Sequence, residues 1–242
     1  MSQKHIFALH VNAPLTSGLY TVTDVDFAHR VRNVLRLEVG QCVQLFTRMH
    51  HAEAQVVEFK KKDTVLFSIA SVQENVLPAD VTFLLPVLKF GDLSDAVYAL
   101  AEVGVKSIQL VYTQKSQHTL QAAQFEKLER VVIAAAEQSK SFSYAELFRP
   151  VDLEVACAQL PAGTCKLYAD ISGIAAKQWT LQVAGASRVA VLVGPEGDLA
   201  SQEKDFVKQQ QFVFVRLTSS VLRAVQAVAL LAGMVNCFIV ER

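Results

Sequence analysis

Cysteine is scarce: four occur in 242 residues, at Cys42, Cys157, Cys165 and Cys237. None stands in CxxC spacing, which excludes a zinc ribbon or dithiol redox motif and fits a reducing compartment. Charge of one sign is also lacking, because 23 Lys and Arg balance 23 Asp and Glu. A zero balance argues against indiscriminate coating of nucleic acid, but leaves room for an RNA site built from a local basic patch. The opening MSQKHIFALH has too short an apolar run for a secretory signal, so a cytoplasmic location is expected. The one long apolar run, Val221 to Val240, contains Arg223, Gln226 and Asn236, which are costly in lipid. It reads as a core or interface helix, with no membrane partner. His50 and His51 have no third ligand nearby, so no metal is expected. Repeats and low-complexity tracts are absent. What is abundant is hydrophobic content, 52%, which suits a buried α/β sheet.

Two domains are expected. Residues 1–74 read as all-β, with runs at His5–Val11, Cys42–Phe46, Ala52–Phe59 and Thr64–Ala70 separated by turn-formers. A short helix, capped by Asp24 or Asp26, runs through Phe27 to Leu35, and a small barrel closed around it is the natural packing. Gln73 to Asp80, with Pro78, reads as a linker. Within residues 75–242 the period changes. Strands are expected at Val81–Leu88, Ser107–Tyr112, Lys166–Asp170, Arg188–Val193 and Phe212–Leu217. Helices are expected at Leu93–Val103, stopped by Gly104, and at Gln121–Ser139. This alternation implies an α/β fold with a mainly parallel sheet covered on both faces.

Strand Arg188–Val193 breaks into Gly194-Pro195-Glu196-Gly197, and the strand ending at Leu217 breaks into Thr218-Ser219-Ser220-Val221-Leu222-Arg223. Bends at strand ends expose backbone N–H and C=O groups where small ligands sit in open α/β sheets. The first bend matches neither a P-loop nor GxGxxG, and carries no Lys for phosphate. It also fits a plain tight turn, with Pro195 setting φ and Gly197 allowing φ > 0.

The order of these features resembles the SPOUT class of S-adenosylmethionine-dependent RNA methyltransferases, and most closely the ribosomal RNA small subunit methyltransferase E family. The resemblance spans nearly the whole chain. Val34-Leu35-Arg36 matches the family's VLR, and Lys89 its Lys after the first strand of the second domain. Glu102-Val103-Gly104-Val105 matches ELGV, Ala135 to Ser139 matches AxEQS, and Gly194 to Gly197 matches GPEGG as far as Asp198, which replaces the last Gly. Elsewhere Lys115 replaces Arg of the T-E-R-S loop, Ser141 replaces Arg of EQSGR, and Val225 replaces Glu of LRTETA. A Lys for Arg keeps charge but loses the bidentate fork.

The resemblance implies a PUA-like β-barrel that binds RNA, followed by a SPOUT α/β-knot domain whose last strand and helix thread an earlier loop. It implies S-adenosylmethionine as cofactor, methylation of N3 of a uridine in 16S rRNA or the small ribosomal subunit, and a homodimer paired through the helix at Ala224 to Gly233. The cofactor would lie among Leu192, Gly194, Pro195, Glu196, Gly197, Leu217, Ser219, Val221 and Leu222. Arg223 could stabilise charge on the uracil carbonyls, or simply pair with a nearby acid. Glu196 could accept the N3 proton, hold Arg223, or be structural. Arg30, Arg32 and Arg36 are candidates for phosphate contact, with Arg32 and Arg36 sharing a helix face. Lys89, Lys115 and Lys140 are candidates for the target cleft. Phe46, Tyr112 and Trp179 read as packing residues, or one of them as a platform on which a base stacks. Two rival readings remain: an RNA-binding protein of the same fold with weakened catalysis, suggested by Ser141 and Val225, and a metabolic α/β nucleotide-binding enzyme.

Overall fold

A computed structural model of the chain describes residues 6–116 and 118–239. His5 and Val240, the outer ends of two expected segments, lie outside the described residues. The chain divides into two compact units. One comprises the chain up to Val76 with Ala136–Ser143, and the other Leu77–Ala135 with the chain from Tyr144 onward.

The first unit is built on β1 (Ala8–His10), β2 (Gly18–Thr23), β3 (Cys42–Phe46), β4 (His50–Lys60), β5 (Thr64–Ile69) and β6 (Gln73–Glu74). They pair in the order β1-β3-β4-β5-β2, with β6 also on β4. Only β1 and β3 run parallel. Alternation along β4 buries Ala52, Ala54 and Val56 and exposes Glu53 and Gln55. Leu9, Val43, Leu45, Val65 and Phe67 complete the core. The expected linker begins instead as β6, because the Asn75 side chain bonds the Thr47 and Arg48 carbonyls and His51 and so anchors it to β4.

Helix α1 (Val25–His29) is capped by Asp24, whose carboxylate accepts the Phe27 N–H at 2.7 Å. It continues as a wider π turn over Arg30–Val34, with the Leu35 N–H reaching the Arg30 carbonyl. Arg36 then turns left-handed at φ 52°. Arg32 and Arg36 therefore do not share a helical face: the helix widens and stops before Arg36.

The second unit holds six parallel strands in the order β12-β10-β11-β7-β8-β9. These are β7 (Val81–Pro86), β8 (Ser107–Tyr112), β9 (Glu146–Asp152), β10 (Cys165–Ala175), β11 (Val189–Val193) and β12 (Val213–Arg216). Parallel strands buried on both faces read as continuous apolar runs, and all five residues of β11 are buried. One face packs against α2 (Phe90–Val103), α3 (Ala122–Ser139), α5 (Ala176–Ala184) and α7 (Ala224–Ile239). The other packs against α4 (Leu153–Ala158) and α6 (Ser201–Gln209) through Leu84, Val111, Tyr168, Leu192 and Val207. Gly104, at φ 84°, ends α2 as its spacing predicts. Helix α7 begins only at Ala224, three residues into the apolar run. Among the described residues, no helix is long and apolar enough to cross a membrane.

Candidate active site

The chain runs outward through β7, β8 and β9, then returns to the opposite side of β7 for β10, β11 and β12. Such a reversal leaves a crevice at the carboxyl ends of the strands. A cavity of about 550 Å³ lies there, framed by the segments after β11 and β12, by Asp170 and Ile171 in β10, and by Asp92 in the first turn of α2. Gly194, Pro195, Glu196, Leu217, Val221, Leu222 and Arg223 all line it. Leu192 is buried within β11, and Gly197 and Ser219 are not among the lining residues, although Glu196 and Asp198 beside the one and Thr218 and Ser220 beside the other are.

The bend after β11 closes with the Asp198 N–H on the Pro195 carbonyl at 2.9 Å. Its left-handed residue is not Gly197, as the turn chemistry suggests, but Asp198 at φ 58°. Gly197 supplies room instead: a Cβ there would meet the Lys115 side chain at 3.3 Å. Lys115 donates to the Gly197 carbonyl at 2.6 Å and lies 3.5 Å from that of Leu199. The buried Glu203 carboxylate accepts the N–H groups of Gln114 and Ala200, each at 2.8 Å. One cation and one anion thus tie the loop after β8 to the loop after β11, which is why Lys115 points at protein backbone.

Asp198 carries a second network. It accepts from the Tyr168 hydroxyl, from the Leu199 N–H at 2.7 Å and from Lys204 at 2.6 Å. Lys204 also bonds Asp170 at 2.7 Å, and Asp170 accepts the Ser172 N–H and hydroxyl. Burial raises the pKa of both carboxyls, but the Lys204 and neighbouring hydrogen bonds outweigh it and hold both below the usual range. Burial likewise lowers Lys204, and its two carboxylates more than offset this and raise it. Burial, then the bond to Asp198, pushes Tyr168 upward. Near neutral pH the network holds two carboxylates, one ammonium and a neutral phenol.

Arg223 is 76% exposed and pairs with Asp92 at 3.4 Å. Glu196 is exposed on the cavity wall and makes no hydrogen bond or ion pair among the described residues. Lys89 stands just before α2 and lines, with Phe90 and His118, a second cavity of about 430 Å³. Lys140, at φ 58°, follows α3 in the first unit, so Lys89, Lys115 and Lys140 do not belong to one unit. Arg30 makes a two-pronged pair with Glu137 at 3.0 and 2.5 Å. Arg32 donates to the Lys61 carbonyl and stacks over Phe59. Arg36 is exposed. Phe46 and Trp179 are fully buried, and Tyr112 packs at the edge of the second unit's core. No group of three His, Cys, Asp or Glu among the described residues could hold a metal ion. Sequence reasoning missed Asp92, Asp170 and Tyr168, which lie far from the two bends in the chain, and Lys204, which follows the first bend within α6. Asp198 was visible only as a departure from glycine.

A parallel α/β domain with a ligand-sized cavity between two strand-end bends defines the class of the second unit. Residues 75–236 match the RNA methyltransferase domain family, and the chain belongs to it. It is similar to the proteins named ribosomal RNA small subunit methyltransferase E from Synechocystis sp., at 24% identity over 87% of this chain and 71% of that protein, and from Aquifex aeolicus, at 25% over 80% and 85%. Among solved structures, a Legionella pneumophila methyltransferase in complex with SAM superimposes with a TM-score of 0.86, at 23% identity, over 97% of this chain and 98% of that one. A ribosomal RNA small subunit methyltransferase E from Neisseria gonorrhoeae, bound to S-adenosylmethionine, gives 0.85 at 20% identity over 94% and 95%. These likenesses establish the fold.

Proposed function

We propose that the chain methylates N3 of a uridine in 16S rRNA, with S-adenosylmethionine bound in the 550 Å³ cavity. The observation that carries this reading is the joint framing of one cavity by Gly194–Glu196 and by Leu217–Arg223 in a chain of the RNA methyltransferase domain family. The cavity is of the size that takes a small-molecule cofactor. Its wall mixes Val193, Pro195, Val215, Leu217 and Leu222 with carboxylates, which suits an apolar-flanked adenine and a cationic tail. The relatives' names and the cofactor of the two solved neighbours point the same way.

When bound, the cofactor supplies an electrophilic methyl on a sulfonium. The chain's task is to orient the uracil and help N3 lose its proton. Glu196, exposed on the wall without a partner among the described residues, is the candidate acceptor. Arg223, held beside the cavity by Asp92, is the candidate that steadies charge on the uracil carbonyls. Residues 1–74, the larger part of the first unit, are a PUA-like barrel that captures RNA, and of the candidates Arg30, Arg32 and Arg36 the first two are engaged within the protein, which leaves Arg36 for phosphate contact. Residues 75–242 form the knotted SPOUT domain, and two copies pair through α7 in the cytoplasm.

Mass spectrometry of 16S rRNA from cells with and without the chain tests this. A methyluridine lost with the gene and restored by the chain is expected, and an unchanged RNA rejects the reading. A second reading, RNA binding without turnover, is favoured by Val225 on the cavity wall and by the Arg223–Asp92 pair, which occupies the guanidinium. It predicts cofactor binding in calorimetry with no change in the RNA. Family membership leaves the metabolic reading without support.

A further inference from the structure

The four carboxylates on the cavity wall are Asp92, Asp170, Glu196 and Asp198, and the two cations are Arg216 and Arg223. Arg223 is matched by Asp92. Arg216 and Glu196 offset one another in formal charge, as do Lys115 and Glu203 behind the loop. That leaves Asp170 and Asp198, which share the single ammonium of Lys204 at 2.7 and 2.6 Å. The Asp170 side chain is only 4% exposed. One net negative charge is therefore fixed on the wall, and the Tyr168 hydroxyl and the Leu199 N–H stabilise it without neutralising it.

We propose that Asp170 and Asp198, bridged by Lys204, tune the cavity to the charge of its cofactor and favour S-adenosylmethionine over the demethylated product. The inference rests on reading the cavity as the S-adenosylmethionine site. The methyl donor carries a sulfonium, an ammonium and a carboxylate, one net positive charge. The product, S-adenosylhomocysteine, has a neutral thioether and no net charge. The two are otherwise nearly the same shape, so packing alone separates them poorly, whereas a fixed charge acts on the difference between them. Asp198 does this from a position where glycine would serve the backbone alone. An Asp tolerates the left-handed conformation better than most residues, and its side chain brings Lys204 and Tyr168 to the loop. After transfer, the wall loses its attraction for what remains, which favours exchange of product for fresh donor.

Calorimetry of the full chain with each nucleoside tests the idea, comparing wild type with Asp198→Asn, Asp198→Gly and Asp170→Asn. Asn and Gly both accept the left-handed backbone, so the charge is removed while the turn is kept. Each variant is expected to lower the ratio of donor to product affinity about fourfold, the effect of a unit charge ~10 Å away at an effective dielectric constant of ~40. Asp205→Asn, on the exposed face of α6, is expected to leave the ratio unchanged. Thermal melts confirm that each variant folds. Ratios that do not move in folded Asp198→Asn and Asp198→Gly overturn the inference and leave the cofactor site standing. A wild-type chain that binds neither nucleoside overturns both.

Discussion

At the scale of single residues, the bend after β11 shows how side chains can impose a backbone shape. Asp198 accepts a conformation that disfavours a Cβ, and three hydrogen bonds to its carboxylate offset that cost. Gly194 is held small by the same network, since a Cβ there would meet Asp198 Oδ1 at 3.0 Å and the Tyr168 hydroxyl at 3.4 Å. Gly194→Val is therefore expected to weaken S-adenosylmethionine binding at least ~10-fold by displacing the loop and filling the cavity, as read by calorimetry. Undiminished binding rejects the bend as the cofactor site. Arg223 is exposed, and among the described residues its guanidinium bonds only Asp92, so Arg223→Ala is expected to change cofactor affinity by no more than about fourfold and slow single-turnover methylation ~10- to 100-fold. Equal losses in both measurements reject a role in transfer. Most of the cavity's own bends were legible at this scale, because Gly, Pro and Ser after apolar strands mark where backbone is left bare. The carboxylates opposite them were not, because nothing local distinguishes Asp92 or Asp170 from any solvated acid.

Among the elements, the central strands and the edge strands β1 and β12 were readable, whereas the edge strands β2 and β9 were not. β3, β8 and β11 announce themselves by apolar runs or clean alternation. β9 carries Pro150 and is largely exposed, which is tolerated because it lies at the sheet edge, and β2 ends its sheet with Leu19 69% exposed. β10 runs on past the expected Asp170 to Ala175, with a register shift between Ala169 and Ile174 against β12. That bulge carries Asp170 and Ile171 onto the cavity wall. Gly173 permits it, since a Cβ there would overlap the Phe214–Val215 peptide. Gly173→Ala is expected to cost about 1–3 kcal/mol in urea unfolding and to weaken cofactor binding. A variant as stable as wild type contradicts this close approach.

Over the whole molecule, two predictions follow from charge and from apolar surface. Asp170 and Asp198 are depressed in the folded state, so their contribution to stability is fully present above the ordinary carboxylate pKa of ~3.9 and is lost as pH falls through their lower folded values. Lys204 is raised, so its contribution is fully present below ~10.4 and is lost as pH rises through its higher folded value. Tyr168 is raised as well, so urea midpoints followed against pH should hold level between about pH 4 and pH 10 as far as this network is concerned, with a shallower acid limb in Asp198→Asn. An identical acid limb in the variant removes the network from the stability of the fold. Helix α7 leaves Leu230 and Phe238, 39% and 40% exposed, on its outer face. If two copies pair there, Leu230→Asp yields monomers in analytical ultracentrifugation while the circular dichroism spectrum is kept, and an unaltered sedimentation coefficient places the pairing elsewhere.

Composition and periodicity by themselves determined a β-rich first part, an α/β second part with a mainly parallel sheet, and the two bends that frame the cavity. These follow from local rules: the period of apolar residues, and the few residue types that turn a chain. Only the tertiary structure decided that Lys115 grips a carbonyl, that Arg30 and Arg32 are engaged within the protein, and that Lys204 joins two carboxylates 28 positions apart, Asp170 and Asp198. A charged side chain takes its role from whichever opposite charge or bare backbone group folding brings within about 3 Å, a distance that no local pattern encodes.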